Sequence, residues 1–226
     1  MKHEVFPLSR CRPDGISLEM TLPRVQPIAP SWRNEPFDDR DWLFDCKYDG
    51  FRALCYIEHG RSRLISRNGN LMTRFDALGG ALAAELDVDD AVIDGEVIAA
   101  DVTGRPQFYD LLRGTRAPAY VAFDIAWLNG ADLRSLPLHE RRRVLRGILP
   151  KESSIVSEAL SVEGRGCELF DLMCAHDLEG IVAKRLADPY DTRVKWHKIK
   201  NRAYTQKEGR GDLFNGMKPH VLAAMG

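Results

Sequence analysis

No apolar run in the 226 residues approaches the ~18 needed to cross a bilayer. The first residues, among them Pro7, Arg10, Arg12 and Asp14, lack the apolar stretch of a signal peptide. A soluble, cytoplasmic protein is expected. Cysteine is sparse and odd in number: Cys11, Cys46, Cys55, Cys167 and Cys174 include no Cys-x-x-Cys pair, which argues against a zinc site and a disulfide framework. Cys46 and Cys55 sit in apolar surroundings and are expected to be buried thiols acting as small hydrophobes. Net charge is missing too, at −1, so bulk basicity says nothing in favour of nucleic acid. Neither Gly-x4-Gly-Lys-Ser/Thr nor Gly-x-Gly-x-x-Gly occurs, and the usual nucleotide-cradling loops cannot be invoked.

What is present is ordinary in bulk and uneven in distribution. Hydrophobic residues are 44% and charged residues 29%, enough for a substantial core in one large domain or two small ones. Between Arg193 and Arg210 stand Arg193, Lys195, Lys198, Lys200, Arg202, Lys207 and Arg210 against one acid, Glu208. A second group holds Arg141, Arg142, Arg143 and Arg146. Either suits a phosphate-facing stripe. The second reads more simply as the solvated face of a helix.

Residues 1–29 read as an irregular N-terminal arm, punctuated by Pro7, Pro13, Pro23 and Pro27. A strand begins at Trp42 and delivers Lys47, after which Asp49-Gly50 suits a sharp reversal. Strands over 53–58 and 64–66 follow, giving a meander of short antiparallel strands. Helices are predicted over 74–86, 106–113, 138–149 and 165–176 from apolar residues at three- and four-residue steps. Further strands are predicted over 91–100, 120–128, 180–184 and 195–200, the second of these apolar except for Asp124. This irregular alternation argues for an α+β fold with largely antiparallel sheets flanked by helices.

Five short islands carry residue types that phosphate chemistry needs. They are Lys47-Tyr48-Asp49-Gly50-Phe51-Arg52, Ser66-Arg67-Asn68-Gly69, Asp94-Gly95-Glu96, Glu179-Gly180-Ile181-Val182-Ala183-Lys184-Arg185 and Lys195-Trp196-His197-Lys198-Ile199-Lys200. Taken singly, each has a plain alternative: a solvated hairpin lysine, a strand bulge, a helix-end carboxylate, an exposed strand face. In the last, period-2 geometry puts Lys198 and Lys200 on one face.

In this order, and with Phe123-Asp124 between them, the islands resemble the covalent nucleotidyltransferase superfamily, most closely the ATP-dependent DNA ligases, over residues 36–200. The lead-in Pro36-Phe37-Asp38-Asp39 and the tail Tyr204-x-Gln206-x-Glu208-Gly209-Arg210 resemble bacterial repair-type ligases. The resemblance implies a ligase-type nucleotidyltransferase (ATP-grasp-like) domain over 30–203. It implies that Lys47 attacks the α-phosphate of ATP to give lysyl-AMP, and that AMP then passes to the 5′-phosphate of nicked double-stranded DNA. Lys198 and Lys200 are implied to stabilise phosphate charge, and Glu96 and Glu179 to hold Mg²⁺ or Mn²⁺. Arg52 and Arg67 are implied to fork onto ribose and phosphate oxygens, and Phe123 to stack on adenine. Asp45 and the Cys46 backbone would read the adenine edge. Asp45 departs from the family's usual glutamate and is one methylene shorter, so a weaker or water-mediated contact is implied.

A free lysine titrates near 10.4, so Lys47 is expected to have its pKa lowered by neighbouring cations or burial before it can attack. Lys200 stands 26 residues from the end of the sequence. Five strands of ~5–6 residues with turns do not fit there. The family's C-terminal OB domain is therefore expected to be missing from the tail over 204–226, leaving weak binding of nicked DNA and a need for a separate DNA-binding or repair protein. A cytoplasmic, nucleoid-associated repair or recombination role with no membrane contact is expected. An RNA ligase, a capping-type nucleotidyltransferase and a non-catalytic nucleic-acid- or partner-binding module share the fold. Lys47-Tyr48 and Trp196-x-Lys198-x-Lys200 favour DNA ligase among the enzymes.

Overall fold

The apolar run Tyr120-Val121-Ala122-Phe123 continues through Asp124 to Leu128 as one long strand, because β-branched and aromatic residues suit a pleated surface buried on both sides. The computed structural model describes residues 22–207. In chain order its strands are β1 (Ser31–Trp32), β2 (Asp38–Cys46), β3 (Phe51–Glu58), β4 (Arg61–Ser66), β5 (Asp90–Ile98) and β6 (Ala119–Leu128). They continue with β7 (Ala131–Asp132), β8 (Val156–Glu158), β9 (Ser161–Arg165), β10 (Gly180–Arg185) and β11 (His197–Lys200). The helices are α1 (Asp76–Glu85), α2 (Phe108–Arg113), α3 (Leu138–Ile148) and α4 (Gly166–Ala175). None of them is long and apolar enough to cross a membrane.

Two sheets result. The first runs β1-β11-β10-β2-β9 and the second β4-β3-β5-β6-β7, with β8 beside β6. All pairings are antiparallel except β1 with β11 and β6 with β8. The expected α+β class with largely antiparallel sheets is what forms. The expected meander is not. β2 pairs with β10 and β9, whereas β3 pairs with β4 and β5, so Lys47-Tyr48-Asp49-Gly50 crosses from one sheet to the other instead of closing a hairpin. Burial explains the split. Phe44 and Cys46 pack with Leu169 and Met173 of α4, while Ala53, Cys55 and Ile57 pack with Leu78 and Leu82 of α1.

Side-chain alternation along β3 builds two cores at once. Leu54 and Tyr56, on its other face, join Val92, Ala126, Tyr190 and Trp196 between the sheets. Residues 22–30 have no helix or strand, in keeping with their prolines, yet Leu22, Val25 and Ile28 are buried in this inter-sheet core. The Val25 amide donates to the Tyr56 hydroxyl at 2.9 Å. The rest of the expected N-terminal arm, and the expected tail beyond residue 207, lie outside the described residues.

The arginines of α3 correct a sequence expectation. Arg143 and Arg146 do face solvent, their side chains 74% and 64% exposed. Arg141 and Arg142 do not, at 0% and 3%. Arg141 forks onto Asp124 at 2.8 and 2.9 Å, pairing the one charge of β6. A buried charge is tolerated only with such a partner.

Gly180 opens β10 with φ +134°, and a Cβ there would lie 2.1 Å from the Ile199 carbonyl oxygen. Gly180→Ala is expected to cost at least about 2 kcal/mol through backbone strain and overpacking. Urea unfolding of the variant beside the parent protein measures it; an unchanged midpoint would contradict this account of the strand's entry.

Candidate active site

Three neighbouring strands of the first sheet deliver charged groups to one end. Register places Cys46 of β2 opposite Ile181 of β10, and Lys200 of β11 opposite Gly180. The residues just past these strand ends, Lys47 and Glu179, therefore meet beside Lys200. Lys47 Nζ donates to Glu179 Oε2 at 2.7 Å, and Lys200 Nζ lies 2.7 Å from Glu179 Oε1. The Lys47 amide is fixed by the Gly180 carbonyl at 2.9 Å. Lys198 shares the strand face of Lys200, and burial together with Lys200, Lys47 and Arg67 lowers its pKa.

The second sheet faces this end with Arg52, Glu96 and Phe123. Arg52 and Glu96 stand directly opposite each other on β3 and β5. Burial pushes the Glu96 carboxyl up to about 8, although Lys47 and Arg52 pull it down. For Lys47 the balance runs against the sequence expectation. Burial lowers its pKa, but Glu179, Glu96 and Asp49 outweigh that and leave it raised. Burial acts on this amine as expected, but the neighbours that dominate it are carboxylates rather than cations.

Arg52 is held more tightly than a free phosphate fork. It bonds Asp94 through two nitrogens at 3.0 and 2.6 Å and also donates to the Ile28 carbonyl. Asp94 in turn accepts from the Tyr190 hydroxyl at 2.6 Å. The Arg67 guanidinium is exposed in the turn after β4 and acts on Lys198 through its charge. Phe123 is half-buried, with Lys184 Nζ 4.2 Å from its ring centroid and Arg52 at 5.4 Å.

Asp45, expected to read the adenine edge, lies between two cations. Its carboxylate is buried 2.6 Å from Lys184 Nζ and 3.4 Å from Arg142 Nη1, so both its neighbours are cations rather than open space. Arg142 also donates to the carbonyls of Phe123 at 2.9 Å and Ala159 at 3.2 Å, and pairs with Glu158. The Cys46 amide is taken by the Leu160 carbonyl at 2.8 Å. Burial pushes the Cys46 and Cys55 thiols up to about 12, as expected of inert core cysteines.

Sequence reasoning thus named Lys47, Glu96, Glu179, Lys198 and Lys200, which the structure brings together, and it gave no role to the groups around Arg52 and Asp45: Asp94 and Tyr190 at the first, Arg142 and Lys184 at the second. One signal was available. A lone aspartate in an apolar strand, Asp124, demands a buried cation somewhere in the chain. The basic run after Arg193 is less concerted than it reads, since Arg193 pairs with its neighbour Asp191 at 2.6 Å. Glu208 and Arg210 lie outside the described residues.

With this geometry in hand, known proteins fall into place. Residues 30–200 match the family model described as the ATP dependent DNA ligase domain. The multifunctional non-homologous end joining protein LigD of Mycolicibacterium smegmatis is 31% identical over 219 residues, covering 90% of this chain and 28% of that protein. The SPbeta prophage-derived DNA ligase-like protein LigB of Bacillus subtilis is 30% identical over 194 residues, covering 80% of this chain and 69% of that one. A solved mycobacterial DNA ligase D complexed with ATP and MES superposes with a TM-score of 0.66 at 27% identity, over 78% of this chain and 60% of that chain. The chain therefore spans less than a third of the M. smegmatis LigD it matches. A match across most of the sequence and the shared two-sheet fold agree: the chain belongs to the ATP-dependent DNA ligase domain family.

Proposed function

We propose that this chain is the adenylation unit of a DNA ligase. Lys47 Nζ attacks the α-phosphate of ATP, pyrophosphate leaves, and AMP is held on the lysine as a phosphoramidate. AMP then passes to the 5′-phosphate at a DNA nick, and the 3′-hydroxyl displaces it to form the phosphodiester. The observation that carries this reading is the Lys47–Glu179–Lys200 chain, an amine and a second cation on the two oxygens of one nearly buried carboxylate.

Each neighbour has a task in that scheme. Glu179 fixes the Lys47 ammonium and stands where it can accept the proton that Nζ must lose before its lone pair reaches phosphorus. Lys200 and Lys198 face the phosphates and stabilise the charge that develops there. Arg67 offers a planar fork to phosphate oxygens. Arg52, immobilised by Asp94, reaches the ribose side with little entropy left to lose. Phe123 stacks on adenine, whose edge falls to the Cys46 main chain, while Asp45 supports that strand end through Lys184 and Arg142. Phe123→Ala is expected to raise the half-saturating ATP concentration roughly tenfold, in line with the value of base–aromatic stacking. Titration of adenylation rate against ATP reads it, and an unchanged half-saturation would place adenine elsewhere.

Glu96 and Glu179 fit a divalent cation. Among the described residues no group of three or more His, Cys, Asp or Glu forms a ready metal cage. Two carboxylates are what a magnesium-like ion takes when substrate phosphates and water complete its shell. A cation bound beside Glu96 would favour the charged form of a carboxyl that burial otherwise holds protonated. Bound there, Mg²⁺ or Mn²⁺ supplies positive charge that offsets these carboxylates and the phosphate oxygens. Nicked DNA is the substrate in this reading, and contacts to its phosphates supply much of the affinity.

The test is direct. Purified chain incubated with Mg²⁺ and ATP radiolabelled at the α-phosphate should retain covalent label that survives denaturation and alkali and is released by warm acid, as a phosphoramidate does. Subsequent nicked DNA should discharge it, and nicked RNA should not. Competition by GTP reports the base. Folded protein that takes no label at any ATP concentration would sink the reading.

A further inference from the structure

The segment that follows β11 runs back along the edge of the site and ties down three of its supports. Asn201 donates its main-chain amide to the Glu179 carbonyl at 2.9 Å and its side-chain amide to the Leu178 carbonyl at 3.1 Å. Tyr204, only 3% exposed, donates its hydroxyl to Asp49 Oδ2 at 2.6 Å. Thr205 donates to both carboxylate oxygens of Asp177, at 2.9 Å from its amide and 2.5 Å from its hydroxyl. Gln206 accepts from the Phe108 amide at 3.1 Å and donates to the Pro106 carbonyl at 2.9 Å. Arg105 joins the same knot by pairing with Asp177.

We propose that Tyr204 is a positioning residue for the adenylation of Lys47, acting through Asp49. The inference rests on Lys47 being the nucleophile. Asp49 lies two residues beyond Lys47, in the crossing between sheets, and is itself only 4% exposed. That crossing has little slack. At its start the Lys47 amide is bonded to Gly180. At its end Gly50 lies so close to β5 that a Cβ would come 2.1 Å from the Val97 carbonyl oxygen. Between these two anchors the Tyr204 hydroxyl grips Asp49, and a hydroxyl–carboxylate bond of this length is charge-assisted and directional. A displacement of about 1 Å at a reacting atom costs roughly a hundredfold in rate, so a modest shift of the crossing suffices.

Tyr204→Phe keeps the ring and its packing and removes only the hydroxyl. In single-turnover adenylation of the full chain with radiolabelled ATP and Mg²⁺, its rate at saturating ATP is expected to fall roughly tenfold. Half-saturating ATP should stay within about twofold, because Tyr204 acts on the lysine rather than on nucleotide binding. A role in stability alone would lower the thermal midpoint and leave the saturated rate of the folded protein intact. In a double-mutant cycle, Tyr204→Phe should add nothing to Asp49→Ala, since the hydroxyl acts on the lysine through that carboxylate. If Asp49→Ala does not fold, the rate-against-half-saturation split of Tyr204→Phe decides alone. A Tyr204→Phe protein that adenylates at the parent rate overturns the proposal, as do losses that multiply independently. Parent protein that never takes label removes Lys47 as nucleophile and this inference with it, whereas a labelled parent and an equally labelled variant remove the inference only.

Discussion

Lys47→Arg is expected to leave a folded protein that takes no label from ATP. Arginine keeps a positive charge within reach of Glu179 and can preserve the ion pair that now measures 2.7 Å. It cannot give up its proton in a protein and so offers no lone pair for attack on phosphorus. The substitution therefore separates two things that lysine combines, the cation that balances a nearly buried carboxylate and the nucleophile. Loss of an essential nucleophile costs at least about a thousandfold in rate, below detection in a denaturing-gel assay for covalent label. Thermal unfolding should remain close to that of the parent, because the charge balance at Glu179 survives. Label persisting on the Arg variant would assign the nucleophile to another residue, and Lys198 and Lys200 would be the next to substitute.

The second large effect is structural. Arg142→Met should destabilise the chain by about 3–5 kcal/mol, the usual cost of removing one partner from a buried ionic cluster. The guanidinium now serves Asp45, Glu158, the carbonyls of Phe123 and Ala159, and the Ser161 hydroxyl at 3.2 Å. Methionine fills the volume and satisfies none of them. Asp45 would keep Lys184, but Glu158 would be left with Arg146 alone among the partners described above, a side chain that is mostly in water. The matched control is Arg143→Met on the same helix, whose partner Glu140 is a surface neighbour and whose loss should stay within about 0.5 kcal/mol. Guanidinium unfolding of the two variants side by side tests the contrast. Equal midpoints would mean that the buried arginine contributes no more than the solvated one.

That contrast shows where reading the sequence succeeded and where it stopped. Lys47 and Glu179 were legible because each stands at the end of an apolar strand, where a charge has little reason to be unless it faces a site, and Lys200 because period-2 geometry pairs it with Lys198. Their meeting was not legible from periodicity, since Lys47 and Glu179 are 132 residues apart and β2, β10 and β11 become neighbours only through sheet order. Family resemblance supplied that step. In α3 the apolar spacing of Leu138, Val144, Leu145 and Ile148 marked an inner face and assigned all four arginines to water. Arg141 and Arg142 are inside because Asp124 and Asp45, far away in sequence, need cations there. The strands over Val156–Glu158 and Ser161–Arg165 escaped notice for a simpler reason. They are short, polar and, in the second, broken by Gly164 at φ +75°, so neither alternation nor propensity marks them. The Asp49-Gly50 step looked like a hairpin because that dipeptide favours tight turns, but two separate cores on its flanks pulled the strands into different sheets.

Ile28 links the least regular part of the chain to the chemistry. Its side chain is wholly enclosed between the sheets and its carbonyl receives Arg52, the arginine that Asp94 also clasps. Recognition of the family begins at residue 30, two positions later. The limits of a pattern and the limits of a cooperative folding unit are thus different borders. A fragment trimmed to the pattern would keep every charged group of the site while discarding the wedge of Leu22, Val25 and Ile28 that holds its two halves apart. Any excised or fused version of this domain needs its N-terminal seam drawn at or before Leu22.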